Sequence, residues 1–165
     1  MGYTLIASQV LSASASSITF SSIPQTYKAL KLLASARTDT NGGGSSPWAE
    51  MIITVNGGAG TTSGIHLYGT GSIAGSDSGP DPFAANTNNS ANAFSVNEIT
   101  FSNYSSSNPK VWSIEDATEN NGTLALASAA GGLNTTTSGI TSITLTPNPA
   151  ANFVAASSFY LYGLS

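Results

Sequence analysis

The sequence predicts an all-β protein: an antiparallel β-sandwich of jelly-roll type with about eight to ten strands, forming one domain over residues 1–165. Three observations predict it. Apolar residues recur with a period of two along most of the chain, as in strands with one core face and one polar face. Ser, Thr, Asn and Gly supply 77 of the 165 residues, so the polar faces and turns are small and uncharged. Leu, Ile, Val and Phe supply only 34, close to the level at which chains stay unfolded. Disorder also needs a high net charge, however, and here it is −4, with the apolar residues gathered in strand-like runs.

The elements follow in order. A first run surrounds Leu5. Ile18 and Phe20 then alternate with Ser17, Thr19 and Ser21, and Leu30, Leu32 and Ala34 alternate with Lys31, Leu33 and Ser35. Met51, Ile53 and Val55 form the next core face, followed by a run near Ile65. Near Val96 the phase breaks: Phe94 and Val96 are apolar at even positions, Ile99 and Phe101 at odd ones. One regular strand cannot turn both sets inward, which predicts a β-bulge at Asn97 or Glu98. Trp112 and Ile114 define the next strand. Leu124 to Ala130 is short and alternating, hence a strand rather than a helix, ended by Gly131-Gly132. Ile143 and Leu145 precede the last run around Phe159. Asn41-Gly42-Gly43-Gly44, Asn56-Gly57-Gly58, Asn121-Gly122 and Gly131-Gly132 supply the positive φ of tight turns, and Pro147 and Pro149 break the chain before Phe153. Residues 70–93 form a long Gly/Ser/Asn-rich loop with little to bury except Ile73 and Phe83, which predicts a loop packed on a partner.

Composition excludes several functions. Charged residues are 7% of the chain and Lys plus Arg number four, so there is no basic footprint for nucleic acid or an anionic membrane. No apolar run is long enough for a membrane-spanning helix. Cysteine is absent, so there are no disulfides or thiolate metal sites. No Lys or Arg precedes Lys28, so the start does not read as a secretory signal, and Ile6 occupies the position where a myristoylation motif needs Ser or Thr.

Catalytic chemistry has few carriers. The single histidine, His66, lies on an alternating strand with no Gly-x-Ser-x-Gly elbow in the chain, and reads as a hydrogen-bonded strand residue. One His without Cys does not make a usual zinc set. Glu115, Asp116 and Glu119 cluster near a strand end, but 115 and 116 point to opposite faces; they read as solvated carboxylates rather than a glycosidase pair. Asp39-Thr40-Asn41-Gly42 opens like a calcium loop but lacks its closing ligands. Four Asn-x-Ser/Thr triplets, at Asn88, Asn103, Asn121 and Asn134, match chance for this composition. The sequence therefore predicts no enzyme, no cofactor and no metal. Trp112, Phe20, Phe101 and Phe159 fall on core faces. Trp48, Tyr68, Tyr160 and Tyr162 do not, and are the candidate interface residues.

Both ends of the chain carry a resemblance. The opening Tyr3-Thr4-Leu5-Ile6-Ala7-Ser8, then Ser21-Ser22-Ile23-Pro24-Gln25-Thr26-Tyr27 before a Leu-rich strand and Ala36-Arg37, resemble a group of tailed-bacteriophage virion proteins. So do the closing Ile140–Pro147 segment, Asn152-Phe153, and Ser157-Ser158-Phe159-Tyr160-Leu161-Tyr162-Gly163. The group comprises small β-sandwich domains that serve as trimeric capsid cement (decoration) proteins and as distal domains of tail spikes and fibres. The resemblance implies a homotrimer that binds the major capsid protein on the outer capsid surface and is made in the cytoplasm of the host bacterium. Its alternative is a receptor-binding tip recognising a host surface glycan; a last strand ending at Leu164-Ser165, with no shaft, favours cement. A glycan hydrolase or lyase fragment and a free carbohydrate-binding module are weaker alternatives, the second supported only by Trp48 and the tyrosines.

Overall fold

The structure is a computed structural model that describes residues 2–42, 46–119 and 125–165. It is all-β, with twelve strands in two antiparallel sheets and no helix among the described residues. The larger sheet has the order β1-β12-β3-β8-β9-β10-β5-β6 and the smaller one β2-β11-β4-β7. The larger contains β1 (Tyr3–Val10), β3 (Ala29–Ser35), β5 (Thr62–Gly69), β6 (Ala74–Ser78), β8 (Val96–Ser102), β9 (Lys110–Glu119), β10 (Ala125–Asn134) and β12 (Ser158–Leu164). The smaller contains β2 (Ile18–Phe20), β4 (Ala49–Val55), β7 (Phe83–Ala84) and β11 (Ile143–Asn148).

Alternation builds the core as expected. Leu30, Leu32, Ile99, Phe101, Trp112 and Ile114 face inward from the large sheet and meet Ile18, Phe20, Met51, Ile53, Ile143 and Leu145 from the small one, all buried. Two inner faces of this kind give a sandwich core about 10 Å thick. The β4–β5 connection turns at Asn56 and Gly57, both at positive φ, with the Gly58 amide bonded to the Val55 carbonyl at 3.0 Å. Asn56 holds the left-handed conformation because its side chain reaches the Gly139 carbonyl and the Thr141 amide.

Four expectations change. There is no bulge at Asn97 or Glu98: β8 pairs in unbroken register with β3 and β9. Asn97 itself takes the inward position, bonded to Ser95 Oγ and the Ala34 carbonyl, and Val96 is turned out to solvent. The irregularity lies instead in β1 between Leu5 and Ala7. Gly131-Gly132 does not end β10 but lies within it, because Gly132 passes beneath the Trp112 indole, where a Cβ would clash. Pro147 does not break β11; it sits past the end of β2, where its missing N–H costs no ladder bond. Residues 70–93 are not a bare loop. They contain β6 and β7, and residues 82–86 are buried against their own chain. Asn121-Gly122 and Leu124 lie outside the described residues, as do Gly43 and Gly44.

The β9–β10 and β5–β6 strands widen the large sheet beyond the small one. Their inner face is covered by the segment around β7, with Trp112 Nε1 donating to the Pro80 carbonyl at 3.1 Å.

Candidate functional site

The four aromatic candidates separate into two places. Trp48 immediately precedes β4, and Tyr68 lies on the inner face of β5. Their rings are 6.0 Å apart, and Trp48 is 5.2 Å from Phe83, which stacks on His66 at 4.1 Å. Tyr68, Trp48, Phe83 and His66 thus form a continuous row in which the first two are half-buried and the last two buried. Tyr68 pairs with Gly75 across the β5–β6 hairpin, and its ring covers the glycine so closely that a side chain there would collide with it.

Beneath this row lies a buried polar group that the sequence reading missed. His66 Nε2 is 2.9 Å from Ser128 Oγ, and the Ser128 hydroxyl donates to Asp116 Oδ1. The Phe83 amide donates to Asp116 Oδ2 at 3.0 Å. The expectation of a solvated Asp116 is corrected: it is buried on the inner face of β9, and burial raises its carboxyl above the usual range. Glu115, next to it, faces outward. The three residue types are those of a hydrolase triad, but their order is different. A triad places the imidazole between serine and carboxylate. Here serine is in the middle and gives its one proton to Asp116, so His66 Nε2–H donates to Ser128 and takes no proton from it. Only an interior carboxylate would have revealed this cluster, and in sequence an Asp beside a Glu reads as surface.

Tyr160 and Tyr162 lie on the outer face of the large sheet, while Phe159 and Leu161 are buried in the core. Tyr162 meets Tyr3 edge to face at 6.3 Å. Tyr160 borders a groove of about 260 Å³ with Leu33, Val96 and Glu98. The 70–93 segment does not fold over these tyrosines; its β6 is the opposite edge of the sheet. Lys31 pairs with Glu98, which raises its pKa, and lies 5.7 Å from the centre of the Tyr3 ring.

The remaining carboxylates are separate. Burial pushes the Asp81 carboxyl up to about 6, although Oδ1 accepts the Ile53 amide at 2.8 Å. Asp39 is held low by the backbone and side-chain amides of Asn152. Among the described residues no three His, Cys, Asp or Glu side chains come together to hold a metal ion. No protein-family model, curated protein or solved structure matches the chain.

Proposed function

We propose that this chain is a non-enzymatic structural protein of a tailed-phage virion: a homotrimeric cement protein that sits on the outer capsid surface and reinforces contacts between major capsid protein subunits. The observation that carries the reading is the outer face of the large sheet, where apolar and tyrosine side chains occupy positions that a solvated strand fills with Ser or Thr. Such a face suits assembly, and three linked contacts give high avidity from individually modest ones. A jelly-roll core, an expected form for shell domains, also fits. Without the two added strand pairs, β5–β6 and β9–β10, the sheets become β1-β12-β3-β8 over β2-β11-β4-β7, and consecutive strands alternate between them except for β4 and β7, which pair with each other. The reversed order of His66, Ser128 and Asp116 supports a structural rather than catalytic use of that cluster.

A second reading, the glycan-binding tip of a tail spike or fibre, is favoured by one feature, the half-exposed Trp48–Tyr68 pair, since aromatic faces suit sugar rings. Imaging virions that carry a labelled copy separates the two. Cement predicts signal over the head; signal confined to the tail would support the tip. Polysaccharide turnover abolished by His66→Ala would refute both.

A further inference from the structure

Nine large apolar side chains stand exposed among the described residues, and eight of them lie on one surface, the outer face of the large sheet. Seven gather at its two ends, and the eighth, Val96 on β8, lies between them. Over β1, β12 and β3 are Tyr3, Leu5 and Val10, beside Tyr160 and Tyr162. Over β9, β10 and β5 are Val111, Leu133, Ile65 and Leu67. A polar strip separates the ends, with Thr100, Ser113, Glu115 and the Lys31–Glu98 ion pair.

The ends differ in shape. At the first, the edge-to-face Tyr3–Tyr162 pair makes a ridge. At the second, β10 turns the small residues Ala127, Ala129 and Gly131 outward ahead of Leu133, and a depression of about 430 Å³ lies beside Leu67 over β10, β5 and β6. Large rings at one end face a surface floored by small residues at the other.

We propose that copies of this chain assemble through this face, the tyrosine ridge of one copy seating in the small-residue trough of the next. The inference rests on the homo-oligomer part of the reading above and adds where the copies meet. Three observations favour a second copy. Both ends are poor in charge: Lys31 is paired with Glu98 at the border of the first, and Glu115, opposite Ala129 at the border of the second, can stay solvated at the rim of a contact between molecules of net charge −4. Each end covers three strands by about four outward residues, roughly 15 by 25 Å or about 400 Å². One ridge in one trough therefore buries about 800 Å² in total, less than the roughly 1,200 Å² at which stable pairs begin. A closed ring uses both ends of every copy, so each protomer buries about 800 Å² over two contacts that support one another. Finally, a twist of about 20–25° per strand turns the ends roughly 80–100° apart over the four steps from β12 to β10, so one flat partner does not cover both.

The test is native mass spectrometry at micromolar concentration on the parent, on Ala129→Arg in the trough, and on the double variant Tyr3→Ser/Tyr162→Ser, with circular dichroism to check that each retains its β-sheet spectrum. All the altered side chains are outward-facing, and Thr54→Arg on the outer face of the small sheet is the control. The parent and control should form a closed oligomer. Each ridge or trough variant should be monomeric, with association weakened more than about tenfold. Mixed in equal amounts, the two should still not close into the parent's oligomer, because only one intact ridge–trough contact, about 800 Å², remains between them. Homodimers of either variant alone, or oligomers that survive both changes, would overturn the proposed contact and leave the homotrimer reading standing. A monomeric parent would overturn both, even if the variants lost head decoration, since the face would then belong to the capsid.

Discussion

Gly132 shows how much one absent Cβ arranges. It faces inward in the middle of β10, pairs with Trp112 of β9, and lets the indole lie flat across the strand so that Nε1 reaches the Pro80 carbonyl. The hydrogen bond ties the covering segment to the sheet, and the ring fills the space a side chain would need. Gly132→Ala must displace the indole, break that bond and strain a buried aromatic, at a cost of roughly 2–4 kcal/mol. Gly131, one residue away, faces outward with open space around its Cβ position, so Gly131→Ala should change stability by less than about 0.5 kcal/mol. Urea midpoints of the two variants check the contrast. Equal effects would mean that strand propensity, not the Trp112 contact, governs this site.

At the scale of elements, β4 depends on a side chain for part of its edge. β7 pairs with only Ala49 and Glu50, the Met51 amide finds the Pro82 carbonyl, and the Ile53 amide is met by Asp81 Oδ1. A carboxylate standing in for a strand is desolvated, and its pKa rises to about 6 from an unfolded value near 3.9. Between these values the folded state binds more protons than the unfolded one, so this group's contribution is full below about pH 4, is lost as pH rises to 6, and is constant above. Asp81→Asn keeps the acceptor and removes the charge. It should match the parent near pH 4 and be more stable by about 1–2 kcal/mol above pH 7, in paired urea titrations. A variant less stable than the parent at pH 8 would show that the charge itself holds the Ile53 amide. This cap was not legible in the sequence, nor was Asp116, because charge at a strand position reads as solvent whichever way it points. The core faces of β3, β4, β9 and β11 were legible, since alternation is local. Pairing is not local. Adjacent Leu5 and Ile6 hold the real bulge, whereas the change of phase at Val96 comes only from an exposed valine beside a buried asparagine. Nor could spacing separate Trp48 and Tyr68 from Tyr160 and Tyr162, because strand order alone puts them on opposite faces.

On the scale of the whole molecule, nearly all positive charge is already engaged. Lys31 pairs with Glu98; Arg37 donates to the Ser90 and Ala93 carbonyls at 2.9 Å each; Lys110 is buried against the Ser106 and Asn108 carbonyls, with its pKa lowered by desolvation. Of the four cations only Lys28 is exposed. Little remains for recruiting an acidic partner, and self-association between molecules of net charge −4 must work against weak repulsion. An assembly held by the apolar ends of the large sheet should then respond to salt in the direction opposite to an ionic one. Raising sodium chloride from about 0.1 to 1 M shortens the Debye length from about 10 to 3 Å, which screens the repulsion and leaves apolar burial intact. Sulfate should strengthen association further by favouring burial, and cooling should weaken it. In sedimentation velocity runs at one fixed protein concentration, the oligomer fraction should hold or rise across that salt range and rise more in sulfate. Dissociation at 1 M salt would instead place the Lys31–Glu98 pair and its neighbours at the centre of the contact, with the tyrosines and the trough at its rim.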